Sequence, residues 1–157
     1  MGADKALQSA IQHGVKAPLN AVPAPKPHRN LTQKEINAMT TTIGEYCAQG
    51  AIRLLTPEET ERTKVWTPIF PREKKDSQKV RIITDLRELN LCQNIPKHKA
   101  DTWQSVLDTI RKPDLKWGIT FDLKSWFHHL QIHPKTQRWM KFKHNNQGYP
   151  IVSMPFG

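Results

Sequence analysis

With 157 residues, the chain can form one domain of ordinary size or part of a larger one. Hydrophobic residues make up 37%, enough for a modest core, and the net charge of +10 points to a polyanionic partner, either nucleic acid or an acidic membrane surface. No apolar run approaches the roughly 18–20 residues of a spanning helix, so an integral membrane protein is not expected.

Residues 1–30 carry Pro18, Pro23, Pro25 and Pro27 and little apolar periodicity beyond a short helix near Asp4 to Gln12. They read as a flexible, proline-containing lead-in. Met1-Gly2 opens like an acylation signal, but Ala6 stands where Ser or Thr is needed, and no apolar signal-peptide region follows. Thr32 and Glu35 then form a T-x-x-E capping box. Ile36, Met39, Ile43, Tyr46 and Cys47 recur at helical spacing up to Gly50, which predicts one amphipathic helix over 33–49.

Short β-like runs follow: Ile52 to Leu55, Lys64 to Phe70, and the alternating Val80 to Thr84. The polar stretch Pro71 to Lys79 between the last two can hold a hairpin tip. Asp101 is expected to cap a second helix that carries Trp103, Val106, Leu107 and Ile110 on one face, with Pro113 beyond its end. Trp117 to Phe121 reads as a strand running into Asp122. Lys141 to Lys143 and Tyr149 to Val152 flank Asn145-Asn-Gln-Gly148, a hairpin signal. Helices and short strands mix without internal repeats, which is an α+β layout. Two cysteines, Cys47 and Cys92, are too few for a disulfide framework and lack metal-ligand spacing; an intracellular compartment, cytoplasm or nucleus, fits them.

Three groups of residues carry chemistry. Arg72, Lys74, Lys75, Lys79 and Arg81 lie on and beside the expected hairpin tip. Alternate strand residues share a face, so Lys79 and Arg81 can address one anion, such as a triphosphate. The competing reading is a solvated charged loop. Asp122, directly after apolar strand residues, suits a metal-binding carboxylate or equally a helix N-cap. Met154-Pro-Phe-Gly157 by itself means only a turn. His128, His129 and His133 offer imidazoles, but nothing nearby completes four zinc ligands. The five tryptophans could stack bases; Trp103 and Trp117 are expected in the core.

The order of these signals resembles a family. "LTQKEINAMTTTIGEYCAQGAIRLL" (31–55), "WTPIFPREKKDS" (66–77), "KVRIITDLRELN" (79–90), "FDLKSWFHHLQIHP" (121–134), "RWMKF" (138–142) and "MPFG" (154–157) are similar, in sequence and spacing, to reverse transcriptases of retroviruses, pararetroviruses and retrotransposons. The resemblance implies the fingers (31–116) and the start of the palm (117–157) of a right-hand polymerase. It also implies template-directed transfer from a deoxynucleoside triphosphate to a primer, with Mg²⁺. Lys74 or Lys75 then corresponds to the lysine at the γ-phosphate, and Arg81 to the arginine over the triphosphate. Asp85, Arg87 and Asn90 correspond to the element that shapes the fingers and touches the template. Asp122 becomes the motif A metal ligand and catalytic carboxylate, with the Leu123 backbone facing phosphate. Phe127 becomes the steric gate that favours deoxynucleotides, and Pro155 and Gly157 belong to the turn beside primer and nucleotide. Lys79 joins the template and primer contacts.

Two departures accompany the resemblance. Trp126 replaces a usually small residue beside the nucleotide sugar, where an indole is hard to absorb. The family also places two aspartates in a Y-x-D-D hairpin after the turn, whereas Leu123 to Gly157 contain no Asp or Glu. A two-metal mechanism needs carboxylates from both elements. The expectation is therefore a reverse transcriptase fragment, cut before motif C, that binds RNA or DNA template-primer and dNTP, requires the remainder of the polymerase chain, and is inactive alone. The alternative is a non-catalytic nucleic-acid-binding or interaction module derived from a reverse transcriptase.

Overall fold

The computed structural model describes residues 5–74, 79–94, 101–114, 116–120, 122 and 126–155. The chain divides into two compact units: Met1–Asn94 with Ser125–Gly157, and Ile95–Lys124. The first contains the helices α1 (Lys5–His13), α2 (Gln33–Ala48), α3 (Pro57–Glu61), α4 (Arg87–Leu91) and, past a 3₁₀ turn at Trp126–His129, α6 (Pro134–Gln137); its strands are β1 (Ile69–Glu73), β2 (Val80–Thr84), β3 (Lys141–His144) and β4 (Gln147–Pro150). The second contains α5 (Trp103–Ile110).

Helix α2 begins and ends where its sequence says it should. Thr32 accepts from the Glu35 amide, and the Glu35 carboxylate accepts the Thr32 amide at 2.8 Å, so two orphan donors are satisfied reciprocally. At the other end Gly50 takes φ +70°. The amides of Gly50 and Ala51 return to the carbonyls of Cys47 and Tyr46, the paired closure for which a left-handed glycine is suited. Met39, Thr42 and Ile43 face inward, and Met39 is fully buried.

The inward face of α2 meets a two-stranded antiparallel ribbon in which Ile69 pairs Thr84, Pro71 pairs Ile82 and Arg72 pairs Arg81. Val80, Ile82 and Thr84 are buried; Arg81, between them, is exposed. The ladder bonds fall at alternate pairs, from Asp85 N–H to Pro68 C=O at one end to Lys74 N–H to Lys79 C=O at the other. Pro71 therefore sits where its strand needs no donor toward β2, a position that tolerates proline. The free edge of β2 is covered by α2: the Thr42 hydroxyl donates to Val80 C=O at 3.3 Å, and Tyr46 is hydrogen-bonded to the Ile82 backbone.

The second ribbon pairs Lys141–His144 with Gln147–Pro150. Asn145 and Asn146 both have positive φ, 47° and 63°, as a two-residue hairpin turn matched to strand twist requires. The segment 51–55 lies beside β4 through Arg53 N–H to Pro150 C=O and Leu55 N–H to Gly148 C=O. That contact is close enough that a Cβ on Gly148 would lie 2.8 Å from Leu55 and 2.9 Å from Trp66. Met39, Ile43, Ile52, Ile69, Val80, Ile82, Leu89, Ile132, Met140, Phe142 and Ile151 close one core between the ribbons and α2.

Several expectations meet a different structure. The run 52–55 forms only one bridge, Ile52 to Ile151, rather than a full strand. Thr102, not Asp101, caps α5, because its extended backbone sets the hydroxyl 3.2 Å from the Ser105 amide. Residues 116–120 adopt no strand, since an extended run needs a pairing partner to be one. Trp103 and Trp117, expected in the core, are 72% and 92% exposed. Helix α3 was not foreseen, although Thr56-Pro57-Glu58-Glu59 repeats the capping-box pattern with proline at the first helical position. Residues from the proline-rich lead-in dock on the core: Val15 bridges to Ile132, Leu19 bridges to Gln93, and Ala17 N–H donates to the Thr136 hydroxyl at 3.0 Å.

Acid should loosen this fold in two stages. Burial holds His144, whose Nε2 lies 2.8 Å from the Thr40 hydroxyl, below its ordinary 6.5, and His28 and His128 are lowered likewise. The unfolded chain then binds more protons, so stability is complete above pH 6.5 and declines as pH falls toward the folded values. Glu59, bound by both terminal nitrogens of the Arg53 guanidinium and the Thr56 amide, is lowered from 4.5 to about 2 and extends the decline through that window. Thermal melts from neutral to acid pH should show a falling midpoint, and His144→Gln should flatten the upper part of the curve.

Candidate nucleic-acid interface

The β1–β2 ribbon projects its cations from a fixed frame. Arg72 and Arg81 are directly opposed across the strands, and both are exposed. Two like charges in register repel each other, an arrangement that an anion lying between them would relieve. Lys74 stands one residue beyond β1 and is exposed. Lys79 pairs with Glu45 of α2 at 2.6 Å. That ion pair ties the tip of the ribbon to the helix.

Beyond β2 the chain turns at Asp85, whose side chain is only 8% exposed. Arg87 grips it with two nitrogens at 2.9 and 2.7 Å, and Lys26 reaches it at 3.0 Å from the proline-rich segment. These donors hold the Asp85 carboxyl far below the usual carboxylate range, the Arg87 guanidinium contributing most. Asp85 thus fixes the turn into α4, while Asn90 is exposed on that helix.

A narrow cleft is lined by Tyr46, Ile82, Thr84, His128, Met154 and Pro155, among others. His128 meets Tyr46 edge-on at 4.9 Å between ring centroids, and the positive charge of Arg81 acts on the Tyr46 hydroxyl. Phe127, 44% exposed, belongs to the same 3₁₀ turn as His128, and Trp126 beside it is 47% exposed. Of the expected site residues, Pro155 lines this cleft; Arg81 projects from the opposite face of β2, and Phe127 adjoins the lining residue His128. Asp122 is an exposed residue of the other unit. Lys75, Leu123 and Gly157 lie outside the described residues. Tyr46, Glu45 and Lys26 were not singled out from the sequence as site-forming residues; only the helical periodicity of Tyr46 hinted at its inward face.

Among the described residues no group of three or more His, Cys, Asp or Glu could hold a metal ion. His133 uses its Nδ1 to accept the Lys135 amide at the start of α6, and His128 faces Tyr46, so the histidines do not converge on one ion. Both cysteines are free. No helix among the described residues is long and apolar enough to cross a membrane.

The architecture of mixed helices and strands is reverse-transcriptase-like. It is similar to the crystal structure of prototype foamy virus protease-reverse transcriptase, with a TM-score of 0.70 and 21% identity over 87% of this chain. It is also similar to a foamy viral protease-reverse transcriptase in complex with double-stranded DNA, with a TM-score of 0.67 and 20% identity over 92% of this chain. The chain spans 17% and 23% of the length of those two proteins. No family model matches the sequence. The likeness shows the fold.

Asp85→Asn should lower stability, because Lys26 and Arg87 would lose the carboxylate they share in a nearly buried place. The expected loss is about 1–2 kcal/mol, seen as a drop of roughly 3–8 °C in Tm. Unchanged melting would mean that this network does not hold the turn.

Proposed function

We propose that the chain is a reverse transcriptase segment comprising the fingers (31–116) and the start of the palm (117–157), and that it binds template-primer and a deoxynucleoside triphosphate. The observation that carries this reading is the opposed pair Arg72–Arg81 on a two-stranded ribbon within a reverse-transcriptase-like fold. In this reading Lys74, Lys75 and Arg81 address the triphosphate, the Leu123 backbone adds a phosphate contact, and Phe127 excludes a 2′-hydroxyl. Lys79, Asp85, Arg87, Asn90, Pro155 and Gly157 shape or touch the template and primer side. One neighbour in fold was determined with double-stranded DNA, which is consistent with such a partner.

Asp122 supplies one exposed carboxylate toward Mg²⁺. The sequence offers no second one from Leu123 to Gly157, so these residues do not by themselves fit a two-ion site, and no catalytic step is derived through a metal. A second reading, supported by the net charge of +10, is a segment that binds nucleic acid without catalysing its extension. Both readings require the ribbon cations to engage phosphate.

Binding should be independent of sequence and should weaken steeply with salt. If about four phosphates are engaged, raising salt from roughly 50 to 200 mM should cost on the order of 50–150-fold in affinity, because each contact releases counterions. Replacing Arg72, Lys74, Lys75 and Arg81 with Ala should flatten the log–log slope and weaken all sequences alike. Fluorescence anisotropy with labelled strands of differing sequence measures both. Salt-independent binding, or binding untouched by the substitutions, would reduce the ribbon charge to a solvated surface.

A further inference from the structure

The sequence has two long stretches without a single carboxylate, Lys5 to Lys34 and Leu123 to Gly157. The fold brings them together. Residues 16–22 lie along α6 and the turn after it, and the groove between them has a volume of about 570 Å³. Lys16, His133, Lys135 and Arg138 line it, and no Asp or Glu does among the described residues.

The walls are fixed by backbone pairing rather than by side chains alone. Val15 N–H donates to Gln131 C=O at 2.7 Å, and His133 N–H donates to Val15 C=O at 3.0 Å. Gly14, at φ +83°, allows that approach; a Cβ there would lie 2.7 Å from the His133 nitrogen. The floor carries a half-buried indole, Trp139, with the Arg138 guanidinium 4.8 Å from its ring centroid. Lys16, Lys135 and Arg138 are exposed. The local field is positive: after burial, the charges of Lys16, Lys135 and His13 are what push the His133 pKa down.

A wet, cationic groove with one planar stack suits a chain that carries phosphates and flat bases together. We propose that this groove binds single-stranded nucleic acid, with phosphates on Lys16, Lys135 and Arg138 and a base stacked over the Arg138–Trp139 pair. It is a second surface, formed by elements other than the β1–β2 ribbon, and does not rest on the reading given to that ribbon.

The test is fluorescence anisotropy of labelled oligothymidylate with the full 157-residue chain. Lys16→Ala/Lys135→Ala/Arg138→Ala, all at exposed positions, should weaken binding about tenfold or more and flatten the log–log salt slope by roughly 2, near 0.7 per single-strand phosphate contact. Trp139→Leu should cost at least about fivefold through lost stacking while leaving the slope unchanged. Arg72→Ala/Lys74→Ala/Arg81→Ala should leave groove-dependent binding that disappears only when both sets are combined. Wild-type affinity and slope in the groove triple variant would overturn the proposal, whatever the ribbon variant shows. Loss with the triple variant but none with Trp139→Leu or Arg138→Lys would also overturn it, since that pattern describes a plain polyanion site. Loss in the ribbon variant alone would leave the ribbon reading standing and the groove without a role.

Discussion

Everything that positions the candidate site depends on α2 closing over β2. A two-stranded ribbon alone is marginal in water, and the edge of β2 away from β1 presents backbone groups that need partners. Thr42 and Tyr46 supply them at Val80 and Ile82, while Met39 and Ile43 fill the space beneath. The same helix sends Glu45 to Lys79 at the ribbon tip. One helix face thus satisfies an edge, builds a core and orients the tip.

Two consequences follow for binding. With its inward face covered, the ribbon turns Arg72 and Arg81 outward in register, where like charges repel. An anion that bridges them gains the pairing energy and removes that repulsion. Tyr46, held against Ile82, also sets one wall of the cleft that contains His128 and Pro155.

Much of the fold was legible because the signals were local. The Thr32–Glu35 box and Gly50 mark the ends of α2, the alternation from Val80 to Thr84 marks β2, and the paired asparagines mark the second hairpin. Signals that depend on distant partners were not legible. Trp117 to Phe121 reads as a strand, yet alternation says nothing about whether a neighbour exists. The prolines at 18–27 suggested a flexible segment, while Lys26 to Asp85 and Ala17 to Thr136 are long-range contacts that no composition rule foresees. For the candidate site, sequence order singled out Arg81, Phe127 and Pro155, but not Tyr46, whose spacing says only that it faces inward. Nor could it show that Lys79 would turn toward Glu45.

The central claim is that the opposed arginines form an anion site, and a polyphosphate without bases tests it most directly. Melting the chain with and without inorganic triphosphate reads binding as stabilisation, about 2.7 kcal/mol at one hundred times Kd, or roughly 5–10 °C in Tm. That rise is expected for the wild type and is lost in Arg72→Gln/Arg81→Gln, with Lys5→Gln behaving as wild type. No rise in the wild type, or an equal rise in the double variant, would contradict it.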